Sequence, residues 1–341
     1  MSQARRCSVA LLSAFFFLGC GGADTKPKTP DEVVPLEGSS GGAPGAGATK
    51  GGVEAASSAE VSEAMKAIEA KRFGDARMLL TKAIANNPKD AQAHYYLGVV
   101  ESSEGGDVKR ALESYRKAIE LDPKLIDAYV NLSALQLETK DDASALKTAE
   151  QGLAIAKKQP DLALNRALAL EGLGKSDEAL TAYRDAVELR PDDFTLKVSY
   201  AQLLARAKKK TEALAQLSAM RECPDPKLLT MGAIIALNLD SPADCIALAD
   251  RGLKLEQHPG LYVRRGMCRD KMKDSPGATS DFKKAIDLDA KFAPAHYYWA
   301  QLLKSSDKAS ACKELALAVE YGGNAGVGPS AKKERGELGC K

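Results

Sequence analysis

One pattern constrains the fold of this chain more than any other feature: a small residue, a bulky one four positions later, and a small one three after that. It reads Ala76, Leu80, Ala83; Ala111, Tyr115, Ala118; Ala145, Ala149, Gly152; and Ala179, Tyr183, Ala186. It continues as Ala213, Leu217, Met220; Cys245, Ala249, Gly252; Ala278, Phe282, Ala285; and Ala311, Leu315, Ala318. Spacings of four and three put the members on one face of a helix. Small side chains there let a second helix come close, and the bulky one fills the gap beside it. The first members recur at intervals of 35, 34, 34, 34, 32, 33 and 33 residues. A lone helix pair cannot bury its apolar stripe, so successive pairs must stack.

Prolines punctuate the series. Pro88, Pro123 and Pro191 each stand five residues after the last small position. A residue before proline is pushed out of helical geometry, so Asn87, Asp122 and Arg190 should end their helices. Upstream, the partner helix carries the pairs Leu97-Gly98, Leu132-Ser133, Tyr200-Ala201 and Trp299-Ala300. Together these features resemble tetratricopeptide repeats over about four-fifths of the chain. The resemblance implies an all-α, right-handed superhelical solenoid of about eight helix-turn-helix units across residues 58–321. A Gly-rich turn from Gly322 to Gly328 and a capping helix over Ser330 to Gly339 would close it, within residues 322–341.

Some units depart from the pattern. Unit two carries an extra residue at Glu104-Gly105-Gly106. Ala149 and Ala249 stand where a bulky residue is usual, and Gly232 and Arg265 where the first helix normally has leucine. The expectation is looser packing or a local tilt at these places.

Composition agrees with helices. The chain of 341 residues is 45% apolar, enough for a core, but only 5% aromatic, with one tryptophan at Trp299. Ala, Leu, Lys and Glu dominate, and these lose little rotamer freedom in a helix. Basic and acidic residues number 48 and 46, and removing residues 1–19 takes away only Arg5 and Arg6. A charge-balanced body lacks the footprint of a nucleic-acid binder, so no nucleic-acid partner is expected.

The N-terminus reads as an address. Arg5 and Arg6 precede an apolar run from Val9 to Leu18, too short to span a bilayer but suited to a signal-peptide core. It ends in Phe17-Leu18-Gly19-Cys20, which resembles a bacterial lipobox, with Phe17 where leucine is usual. The resemblance implies a signal peptide at 1–19 and an acylated Cys20 as the mature N-terminus; the alternative is a plain secretory signal cleaved elsewhere. Gly21 stands where enterobacterial lipoproteins retained in the inner membrane have aspartate, so resemblance points to the outer membrane, facing the periplasm. Residues 21–57 are rich in Gly, Ala, Pro and Ser, with Pro27, Pro30, Pro35 and Pro44 breaking any helix. Such a segment cannot offset its ordering entropy and should tether the body, with a reach of ~30–40 Å.

In solenoids of this family the first helices line the concave surface. Projecting the family's groove positions onto this chain gives Tyr95, Val99, Val130, Leu137, Leu164, Leu168, Val198, Ile234, Leu237, Val263, Met267 and Tyr297. Each is either groove wall or core, because a one-position slip moves it to the packed face. The Lys, Asn and Arg clamp of repeats that hold C-terminal Glu-Glu-Val-Asp peptides is absent. An apolar groove suits an amphipathic helix or extended apolar segment of a partner.

Five cysteines follow Cys20, and export would permit disulfides. Cys312 and Cys340 each lie fourteen residues from Gly326, so two antiparallel helices meeting there place them at one height. The same argument centred near Gln257 levels Cys245 with Cys268, while Cys223 falls at the opposite edge. A buried thiol is the alternative for each. No catalytic, metal or cofactor constellation is expected. His94 and His296 occupy equivalent places in their repeats, and there is no Cys-x-x-Cys, His-Glu-x-x-His or phosphate loop. The run Lys208-Lys209-Lys210 falls at a turn between paired helices and should be solvated.

The sequence thus describes a non-catalytic scaffold or assembly factor of the cell envelope, anchored by lipid, with protein partners in its groove. Two alternatives remain at this point: a factor piloting secretin assembly for type IV pili, whose repeat lipoproteins share this layout, and a periplasmic receptor for a peptide or carbohydrate.

Overall fold

A computed structural model describes residues 58–103 and 105–340. The leader, Cys20 and the tether through residue 57 lie outside the described residues. Among the described residues the chain is all-α, with seventeen α-helices and one short 3-10 turn at Ala219–Glu222. They form two compact units, the first ending at Arg190 and the second starting at Pro191.

Unit one contains four helix pairs: α1 (Ala59–Glu69) with α2 (Phe73–Asn86), α3 (Ala91–Glu101) with α4 (Val108–Leu121), α5 (Ile126–Glu138) with α6 (Asp142–Ile155), and α7 (Pro160–Gly172) with α8 (Ser176–Leu189). Unit two contains four more: α9 (Phe194–Arg206) with α10 (Lys210–Ser218), α11 (Pro226–Asn238) with α12 (Pro242–Leu255), α13 (Pro259–Lys271) with α14 (Ser275–Leu288), and α15 (Ala293–Leu303) with α16 (Lys308–Gly322). The last helix, α17 (Gly328–Glu337), packs on α16. Within each unit, helices pack on their neighbours in chain order, as a stack of pairs requires.

The small residues are where the paired helices touch. Ala76, Ala111, Ala145, Ala179, Ala213, Cys245, Ala278 and Ala311 are all fully buried. So is the small residue of each first helix, among them Ala64, Ser133, Ala167, Ala201, Ala233 and Ala300. At Gly98 a Cβ would lie 2.6 Å from the Tyr115 ring, and at Gly266 it would lie 2.7 Å from Phe282. Glycine at these two points lets an aromatic ring lie directly on the facing backbone.

The third and sixth helix pairs are not loosely packed, contrary to the expectation from Ala149 and Ala249. Their missing bulk comes from the next helix. Leu162 of α7 and Leu261 of α13 are fully buried beside Ala149 and Ala249 respectively. Room for them is made by the last small position, which in these two pairs is glycine. A Cβ at Gly152 would sit 2.5 Å from Leu162, and one at Gly252 would sit 2.8 Å from Leu261. At Leu80, Tyr115 and Phe282 the bulky residue is in place and the following helix offers alanine instead: Ala93, Ala128 and Ala295. At these five joints volume is kept and only its source changes, whereas Leu217 is followed by Leu228 and both are buried in one cluster.

The two other departures are also tightly held. A Cβ at Gly232 would be 3.2 Å from Leu248 and 3.4 Å from the Met220 sulfur. Arg265 gives up leucine's packing for ion pairs. It donates from Nε to Asp281 at 3.0 Å, from a second nitrogen to Asp281 at 2.6 Å, and to Asp250 at 2.6 Å. Asp281 is buried, and Arg269 adds a third contact at 2.8 Å. Charge paired this closely satisfies a carboxylate that could not otherwise be buried.

The turn within most pairs has one construction. Lys71, Lys140, Gly174, Lys208, Asp240 and Lys273 occupy equivalent places and all have positive φ. The residue after each donates to the carbonyl five residues back, as Arg72 does to Ala67 and Lys209 to Leu204. This left-handed stop satisfies the last carbonyls of the first helix. Lys208 is therefore a turn residue by backbone conformation, and the neighbouring Lys210 reaches the Asp240 carbonyl at 3.0 Å.

Two disulfides fasten unit two. Cys245 joins α12 to Cys268 of α13 across a Cα–Cα distance of 6.3 Å. Cys312 of α16 joins Cys340, beyond α17, across 5.5 Å. Cys223 is buried with its thiol 3.7 Å from the Asp225 carbonyl. The two repeat-equivalent histidines share one role: each ring donates from Nε2 to a carbonyl six residues upstream, His94 to Pro88 at 3.1 Å and His296 to Ala290 at 3.0 Å.

Candidate functional site

First helices pack not only on their partners but on one another: α1 on α3 and α5 on α7 in unit one, and α9, α11, α13 and α15 in succession in unit two. Each unit thus has a layer of first helices, and the side chains this layer leaves unburied are its open wall.

The projected groove residues divide between wall and core. Val99, Val130, Leu137, Leu164 and Leu168 of unit one are only partly buried, as are Ile234 and Met267 of unit two. Tyr95, Val198, Leu237, Val263 and Tyr297 are buried core and are not wall. Each is covered by neighbouring helices that a single helix lacks. Tyr95 lies against the Tyr115 ring at 6.0 Å and accepts a hydrogen bond from Asn131 of α5 at 3.3 Å. Val198 and Leu237 belong to the largest cluster of unit two, and Val263 packs with Phe282. Tyr297 is covered by the capping helix, donating to Glu334 at 2.7 Å.

On α5 the unburied residues are Ile126, Asp127, Val130, Asn131, Ala134, Leu137 and Glu138. Spacings of three and four put Asp127, Val130, Ala134 and Leu137 on one stripe, with Glu138 beside its end. Its neighbour α7 carries Asp161, Leu164, Leu168 and Glu171, all unburied, with Glu171 at the place that Leu137 holds in α5. An apolar centre is therefore bordered by aspartates at one rim and glutamates at the other. The aspartates stand one repeat of 34 residues apart, a signal legible in the sequence, whereas the glutamates are 33 apart and do not follow the repeat.

The rim carboxylates differ in surroundings. Asp161 is paired with Arg190 and receives Gln159 Nε2 at 3.2 Å; Glu171 accepts from the Tyr183 hydroxyl at 2.7 Å. Burial, and then the charge of Asp161, pushes the Asp127 carboxyl above its ordinary range. Burial alone raises Glu138. In the same way burial, followed by the charge of Asp127, raises the Tyr95 phenol.

The two layers carry opposite charge. First helices of unit one hold the acids Glu60, Glu63, Glu69, Glu101, Asp127, Glu138, Asp161 and Glu171 against the bases Lys66 and Arg166. Those of unit two hold Lys197, Arg206, Lys227, Arg264, Arg265, Arg269 and Lys271 against Asp270 alone.

Comparison with known proteins adds to this geometry. Residues 56–221 match the sequence profile of the tetratricopeptide repeat. Over this stretch the chain belongs to the tetratricopeptide-repeat family. A solved tetratricopeptide-repeat protein of Parabacteroides merdae matches it with a TM-score of 0.50 at 20% identity, over 72% of this chain and 96% of that one. That likeness shows the fold. Pseudomonas aeruginosa pilF matches with a TM-score of 0.49 at 19% identity, over 58% of this chain and 90% of its own. A 76-residue stretch of this repeat protein is 37% identical to the probable biofilm formation methyltransferase WspC of Pseudomonas putida. The stretch is 22% of this chain and spans only 18% of that relative's length. Tetratricopeptide repeats imply protein partners.

Proposed function

We propose that this repeat protein is a non-catalytic interaction scaffold, held at the periplasmic face of a bacterial outer membrane by acylated Cys20, with a protein partner seated on the open wall of unit one. The observation that carries the interaction reading is the row of partly exposed apolar side chains Val99, Val130, Leu137, Leu164 and Leu168 on stacked first helices. A wall of this kind offers an apolar partner surface a burial it lacks in water. Anchoring rests on the order Arg5-Arg6, apolar run, Gly19-Cys20, and the Gly/Ala/Pro/Ser-rich segment to residue 57 supplies the reach.

In-cell crosslinking followed by affinity capture tests the interaction, with Leu137→Asp and Leu168→Asp as wall-breaking controls. Loss of the captured set in the controls is expected; an unchanged set would place binding on another face. Labelled fatty acid should enter the chain and should fail to enter a Cys20→Ser variant. Equal labelling of both would refute the anchor.

A further inference from the structure

The charge of the unit-one wall narrows what can sit on it. Asp127 and Glu138 stand eleven residues apart on α5, about 16 Å along its axis. Neither takes part in a hydrogen bond or ion pair among the described residues. Asp127 is partly buried, which costs a charged carboxylate solvation unless a cation meets it, and Glu138 is exposed at the opposite rim. Asp161 and Glu171 repeat the two rims on α7 and are held in place by Arg190 and Tyr183. Between the rims the surface is apolar: Val130, Ala134, Leu137, Leu164 and Leu168.

We propose that the wall of unit one docks a basic amphipathic helix, a segment with one apolar face and lysines or arginines along both edges of it. This deepens the scaffold reading above and rests on it. The dimensions agree. A helix with its side chains is about 10–12 Å across, so it fits between rims about 16 Å apart. Lysine and arginine lay their stems along apolar surface and extend their charge beyond it, which brings them to the carboxylates on either side. The equivalent wall of unit two is unsuited to the same ligand. There Lys227 stands where Asp127 does, Arg206 and Lys271 take the far rim, and Arg264 lies between them. A basic helix is repelled by that surface, so the two units differ in what they select.

The test uses the full chain and two dye-labelled peptides of eighteen residues, read by fluorescence anisotropy. Both carry leucines on one helical face; one has lysines along both edges and its twin has glutamates. The lysine peptide should bind about tenfold more tightly than its twin, and the gap should shrink with salt. In the double variant Asp127→Asn, Glu138→Gln the gap should fall to about threefold or less. Leu168→Asp should abolish binding of the lysine peptide. Ala134→Arg, which adds bulk and repulsion at the exposed centre without opening a cavity, should do the same and guards against misfolding of the first variant. Equal binding of both peptides, lost in Ala134→Arg, would overturn the charge selection and leave the wall as an interaction surface. No binding of either peptide, or binding untouched by both wall variants, would overturn the wall and the selection together.

Discussion

The exchange of volume between α6 and α7 can be reversed by design. In the third helix pair the leucine that fills the joint is Leu162, from the following helix, and Gly152 makes way for it. Between the first and second helix pairs the bulk is Leu80, followed by Ala83 and Ala93. The triple variant Ala149→Leu, Gly152→Ala, Leu162→Ala converts the first arrangement into the second. Taken singly, each change should destabilise. Leu162 has no exposure, so truncating it should cost ~2–5 kcal/mol. Leucine at 149 overpacks a filled joint and should cost ~1–3 kcal/mol. Alanine at 152 meets Leu162 at 2.5 Å and the Tyr129 Cβ at 3.0 Å. That clash should cost ~1–3 kcal/mol, less ~1 kcal/mol for replacing a mid-helix glycine. Independent sites would make the triple variant unstable by roughly 3–10 kcal/mol. Volume exchange instead places it within about 2 kcal/mol of the parent. Urea unfolding of the full chain by far-UV circular dichroism gives the stability. Hydrogen exchange of α6 and α7 amides localises the loss, since repeat arrays unfold in steps. A triple variant as unstable as its single changes combined would refute the reasoning.

Three further outcomes follow from the same structure. Lys208→Gly should stabilise unit two by about 0.5–1 kcal/mol, because the native φ of 60° is free for glycine and strained for lysine; a lower melting temperature would contradict this. Burial pulls His296 down, but the Glu314 hydrogen bond at 2.6 Å, the Ala290 carbonyl and the charges of Glu314 and Asp289 outweigh it and raise the pKa. Its contribution is fully present below the unfolded value near 6.5 and is lost as pH rises through the folded value, so melting should fall from pH 6 to pH 9 and do so less in His296→Gln. Opening Cys312–Cys340, whose partners are 28 residues apart, should remove roughly 3–4 kcal/mol of constraint and deprotect α17, and non-reducing mass spectrometry that finds two thiols there would refute the pairing.

The repeat itself was legible in the chain because its chemistry is local. Spacings of four and three, a proline after the second helix and a period near 34 fix which residues meet within a pair, since they are separated by one turn of helix or one short connection. The same holds for the carboxylate stripe of α5 and α7, which is written in sequence spacing. What the chain did not show was which groove positions remain open. Tyr95, Val198, Val263 and Tyr297 occupy the same repeat position as Val130 and Leu164, yet the former are buried and the latter are not. Their fate depends on which side chains the neighbouring helices lay over them, such as Tyr115 on Tyr95, Phe282 on Val263 and Glu334 of α17 on Tyr297. Ala149 and Ala249 looked like weak joints for a similar reason: the leucine that completes each belongs to the next helix pair. Periodicity fixes faces within a helix. Only the packing of one helix pair on the next decides which of those faces water still reaches.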